Sequence, residues 1–89
     1  MSNDLIATYD ERSDVLYITT RPGAPALSKH GLLGLVLRYD VGTNEPIGVT
    51  VLDFSEFWRH RSDQLIDEIA AHLHTPRETA YEAVHRYWH

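Results

Sequence analysis

Eighty-nine residues without cysteine allow one domain with a thin stability margin and no disulfide staple. Hydrophobic residues at 43% against 24% charged exclude a disordered chain. The formal charge of −5, from 13 acidic and 8 basic side chains, disfavours a sequence-blind nucleic-acid binder, which needs surplus cations.

Residues 5–54 read as strands and turns. Leu5 to Tyr9 is a short β-prone run closed by the polar turn Asp10 to Asp14. Val15 to Thr20 (V-L-Y-I-T-T) is rich in β-branched and aromatic residues, which suit a pleated surface. Val15 to Ile18 is apolar at every position, which implies burial on both sides. Arg21-Pro-Gly-Ala-Pro25 then forces a loop, because its prolines remove donors and its glycine permits positive φ. Leu35 to Tyr39 alternates Leu35, Leu37 and Tyr39 with Val36 and Arg38. Asp40 to Pro46 is a second turn cluster, and Ile47 to Leu52 is the last strand. Short turns between successive strands predict a four-stranded antiparallel meander. Tyr9-Asp10 and Tyr39-Asp40 each close a strand and open a turn, where the aspartate can accept from backbone donors.

Residues 55–89 read as a helical tail. Ser55 to Arg61 fits either a helical turn or a short strand with Arg59 and Arg61 on one side. Leu65, Ile66, Ile69, Ala70 and Leu73 make one apolar stripe, with Ser62 as its cap and Asp63 near the positive end of the dipole. Thr75-Pro76-Arg77-Glu78 fits a capping box with proline at the first helical position. Ala80, Tyr81, Val84, Tyr87 and Trp88 form the next stripe. The expected class is α+β, a four-stranded meander over 5–54 followed by two or three helices over 55–89, in a single domain.

Y-D-E-R-S-D-V-L-Y-I at Tyr9 to Ile18 and L-R-Y-D-x(6)-I-G-V-T-V-L-D-F at Leu37 to Phe54 carry a recognisable pattern. Over residues 5–54 the chain resembles the small prokaryotic family called domain of unknown function 2283, with Asp14, Leu16, Tyr17, Gly48, Leu52 and Asp53 in register. That family has no established catalytic activity, so the resemblance implies no active site. Some members are encoded beside small toxin-like proteins, which implies an antitoxin-like role.

The chemistry-bearing residues point the same way. His72 and His74 stand two apart, while His85 and His89 stand four apart on the last helix, where they could chelate a metal with oxygen from Glu78 or Glu82 on the same face. There is no H-E-x-x-H and no cysteine ligand, so a polar helix face is the preferred reading and neither metal nor cofactor is expected. Asp10, Glu11 and Asp14 share a turn, with Asp40 placed near them across the sheet. Turn carboxylates are usually solvated caps, and adjacent Ser28-Lys29-His30 would not converge on one substrate atom. A non-enzymatic protein is therefore expected.

Phe57-Trp-Arg-His-Arg61 followed by two helices is loosely similar to a ribbon-helix-helix repressor segment, in which Arg59 and Arg61 would read DNA. The net charge disfavours that alternative. Phe57, Trp58, Tyr81, Tyr87 and Trp88 crowd a tail with little interior volume and are the expected dimer or partner anchors. One small sheet cannot easily cover both its faces, so a homodimer with a small basic, toxin-like partner is expected. No apolar run is long enough to span a bilayer, and Met-Ser-Asn-Asp leads into no signal core, which makes the expected location cytoplasmic with no membrane contact.

Overall fold

The computed structural model describes residues 5–88, with the backbone alone for Leu32. The acidic start and His89, one half of the histidine pair, lie outside the described residues. The class is α+β: a five-stranded antiparallel sheet followed by two helices. The strands are β1 (Ile6–Asp10), β2 (Val15–Thr19), β3 (Ala26–His30), β4 (Leu35–Asp40) and β5 (Pro46–Val51). The helices are α1 (Ser62–Leu73) and α2 (Arg77–His85), preceded by a 3-10 turn at Trp58–Arg61. No helix among the described residues is long and apolar enough to cross a membrane.

Two features correct the sequence reading. The strand missing from the four-stranded expectation is β3, whose side chains are exposed from Leu27 to His30. With nothing to bury, it has no apolar alternation, and backbone bonding to β4 at the sheet edge defines it. The order is also not a simple meander, because β2 pairs with β5 and gives β1-β2-β5-β4-β3. Residues 20–25 cross one end of the sheet to reach the far edge, where the Val41 amide donates to the Pro25 carbonyl at 3.2 Å.

The register divides the side chains between two faces. Ala7, Leu16, Ile18, Leu35, Val49 and Val51 point to one face and join Leu65, Ile66, Ile69, Leu73, Ala80 and Val84 of the helices in one core. Both helices lie on that face. The turn aspartates act as expected: Asp10 accepts from the Arg12 amide at 3.1 Å, and Asp40 accepts from Gly42 and Thr43 at 2.7 and 3.1 Å. The helix starts differ from expectation. α2 opens after Pro76 without a side-chain cap, and the Thr75 hydroxyl is buried without a hydrogen-bond partner. Ser62 is the first residue of α1, whose N-cap is Arg61 and which also lacks a side-chain cap.

Asp14 ties the sheet to the tail. Its carboxylate accepts from the Tyr9 hydroxyl at 2.6 Å and from the amides of Ser55 and Glu56 at 2.9 and 3.2 Å. Its carbonyl accepts from the Phe54 amide at 3.0 Å. The backbone turns through φ 58 at Asp14 and φ 55 at Asp53, a region that aspartate tolerates better than most residues. Partial burial pushes the Asp14 carboxyl up, but the Tyr9 hydroxyl and the Ser55 and Glu56 donors outweigh it, so its pKa lies below 3.8.

Asp14→Ala should therefore cost about 2–4 kcal/mol in urea unfolding, since it removes charge-assisted bonds and strains a left-handed residue. Asp14→Asn should cost roughly half as much. A depressed carboxyl pKa contributes stability above 3.8 and loses it as pH falls through the folded value, so the wild-type acid transition should be steeper than that of Asp14→Asn.

Candidate interaction surface

The expected anchors divide sharply by burial. Trp58 is fully buried within the helix-facing core, so it serves the chain's own interior and cannot anchor a partner. Phe57, Tyr87 and Trp88 are partly buried against the same core. Trp88 stacks on Phe54 with centroids 4.5 Å apart and planes 4° from parallel. Phe54 meets Tyr9 at 5.4 Å, and the Tyr87 hydroxyl donates to the Ala7 carbonyl at 2.8 Å. Those contacts return α2 to β1 and hold the end of the tail without a second chain. Tyr81 alone of the five is strongly exposed; it stacks on His85 at 4.8 Å and lines a shallow groove with Arg59, Ile66 and Trp88.

The DNA alternative loses its strand. Residues 58–61 form a 3-10 turn, so this segment supplies no strand for a paired ribbon. Arg59 and Arg61 are exposed on that turn, with the Arg61 guanidinium over the Phe57 ring at 4.7 Å.

The carboxylates are not gathered as expected. β1 and β2 turn around at the same end as the exit of β5, whereas Asp40 closes β4 at the opposite end. There Arg21 bonds Asp40 at 3.0 Å and Glu45 at 2.8 Å. Backbone donation from Gly42 and Thr43, with help from Arg21, holds the Asp40 carboxyl below the usual range. Ser28 and His30 share one face of β3 and Lys29 takes the other, where its ammonium sits 5.1 Å from the Tyr39 ring centre. No group of three or more His, Asp or Glu that could hold a metal occurs among the described residues.

The sheet face away from the helices is the feature that sequence reasoning only half reached. One row across it runs Thr8, Tyr17, Thr50, Val36 and His30, and the next runs Ile6, Thr19, Gly48, Arg38 and Ser28. Ile6 and Tyr17 are 48% and 43% exposed, so the all-apolar run in β2 is not buried on both sides of the chain. Val15, on this face opposite Asp10, is buried. Threonines and the half-buried Val36 and Arg38 complete a surface that is neither a closed core nor a uniformly charged exterior. The alternation within β2 and β4 could have shown the face, but its openness depends on where the helices settle.

No family model, curated protein or solved structure matches the chain.

His72 should give this half of the molecule a pH response. It lies on α1 edge-on to Tyr39, with ring centres 5.2 Å apart, and its Nε2 is buried without a partner. Burial lowers its pKa below 6.5, against a smaller opposing pull from the carbonyls of Arg38 and Gly48. As pH falls below 6.5, the unfolded chain takes up a proton that the folded ring resists, so stability should fall. The urea midpoint of His72→Leu should lose less between pH 7.5 and 5.5 than that of the wild type; equal losses would contradict this account.

Proposed function

We propose that this chain is a non-enzymatic protein-binding module that works as a homodimer through the helix-free face of its sheet. The open surface around Tyr17 and Ile6, in adjacent rows, carries the proposal. Five strands about 4.8 Å apart, each roughly 17 Å long, give a platform of some 400 Å² before side-chain relief is counted. A second copy suits the platform because a sheet face can meet its own two-fold image at the usual sheet spacing, with Ile6 and Tyr17 on β1 and β2 beside Thr8, Thr19 and Thr50.

An antitoxin-like role follows from the resemblance of residues 5–54, and the net charge of −5 favours a basic partner. Exposed Asp10, Glu11, Asp53 and Glu56 border the Asp14 tie and would face such a partner. A reduced, cytoplasmic setting is part of the same reading.

Light scattering at tens of micromolar should give the dimer mass, and joint Ile6→Glu and Tyr17→Glu substitution should give a folded monomer. A wild-type monomer of 10.2 kDa at that concentration would contradict the homodimer. A small basic protein encoded beside this chain should form a complex that weakens at least tenfold on Glu11→Lys, Asp53→Lys and Glu56→Lys together, roughly 1.4 kcal/mol.

A further inference from the structure

β1 and β3 form the two edges of the sheet. At the first edge the tail engages the strand, where the Tyr87 hydroxyl donates to the Ala7 carbonyl at 2.8 Å. The second edge has no such cover, and the phase of its pairing identifies the backbone groups left over. The Gly31 amide donates to the Leu35 carbonyl at 2.7 Å, and the Val41 amide donates to the Pro25 carbonyl at 3.2 Å. In the register that runs from Ala26↔Asp40 to His30↔Val36, the bonds to β4 therefore fall on Leu27 and Lys29. The amides and carbonyls of Ala26, Ser28 and His30 point the other way, to the open side of the sheet.

Natural sheets blunt such an edge with devices that include a proline or an outward lysine. Neither device guards β3. Pro25 stands at a position whose missing donor would have faced β4, so the outward donors stay intact. Lys29 is turned back over the sheet, with its ammonium 5.1 Å from the centre of the Tyr39 ring on β4. Among the described residues no carboxylate lies within ion-pair distance of that ammonium. Leu27 shares its face of the strand and is 56% exposed. The edge thus offers free backbone groups together with one unpaired cation and one bare aliphatic side chain, two residues apart.

We infer that β3 accepts an extended segment of a partner protein as an added antiparallel strand, with an acidic side chain opposite Lys29 and an aliphatic one opposite Leu27. Antiparallel addition continues the pairing of the whole sheet. Ala26, Ser28 and His30 then exchange the backbone bonds. Leu27 and Lys29 occupy the unbonded positions, where facing residues come closest, with Cα atoms about 4.5 Å apart. Because the added strand runs in reverse, its order is acid, any residue, aliphatic. A second copy of β3 is a poorer match. Self-pairing centred on Ser28 would set each Leu27 against the other copy's lysine and leave both ammonium groups without a carboxylate. The inference does not rest on the homodimer, because edge pairing leaves the helix-free face uncovered.

Titrating the wild-type chain with the capped peptide acetyl-Thr-Glu-Thr-Ile-Thr-amide should give saturable shifts at the Ala26, Ser28 and His30 amide resonances. So short a strand should bind with a Kd of about 1 mM, because ordering it offsets much of the backbone bonding. N-methylation of the central threonine, whose amide faces Ser28, should abolish binding. N-methylation of the glutamate, whose amide faces away from β3, should leave it intact. Replacing the glutamate by lysine should weaken binding about threefold or more, and Lys29→Glu should reverse that preference. Ser28→Pro should abolish binding with an unchanged far-UV circular dichroism spectrum, since the Ser28 amide gives no bond to β4. No saturable shift in β3 by about 5 mM peptide would overturn the inference. Equal effects of the two N-methylations, or shifts confined to Ile6 and Tyr17, would do the same. A wild-type tetramer that Ser28→Pro returns to a dimer would also overturn it, by assigning the edge to a second copy.

Discussion

The architecture depends on one carboxylate. Asp14 sits where β1 turns into β2, yet it bonds the amides of Ser55 and Glu56, more than forty positions later in the chain. Without those acceptors the segment leaving β5 would have no fixed exit. Phe54 would not be set between Tyr9 and Trp88, and Trp58 would not drop into the core. The tie thus fixes where the chain leaves β5, and the apolar side chains of Leu16, Ile18, Leu35, Val49 and Val51 hold both helices on their face of the sheet. What remains uncovered on the other face follows from it.

Asp14 is also where local and global structure agree. The residue turns through a left-handed conformation that its short polar side chain tolerates, and the same side chain then satisfies donors from a distant segment. Tyr9 adds a hydroxyl from β1 and an aromatic face toward Phe54 and Tyr87. Three parts of the chain meet through these two side chains. The interhelical links from Arg77 to Asp63 and Asp67 are exposed and screened by solvent, so they add far less.

Much of this was legible in the amino-acid pattern. Val15 to Ile18, Leu35 to Tyr39 and Ile47 to Val51 advertise strands through β-branched and alternating apolar residues, and the apolar stripes mark both helices. β3 was not legible because it buries no row of side chains, and periodicity records burial rather than hydrogen bonding. Pairing of β2 with β5 leaves no local trace, since its determinants lie some thirty residues apart. The aromatic tail misled for a related reason. Trp58 and Trp88 looked surplus to a small interior, but Phe54 and the β5 exit turn build the space that receives them.

The central claim is that the helix-free sheet face meets a second copy of the chain. Isotope-filtered NMR on a mixture of labelled and unlabelled protein tests it most directly. The account predicts intermolecular contacts among the side chains of Ile6, Tyr17 and Val36. Intermolecular contacts confined to the helical side, with none from Tyr17, would contradict it.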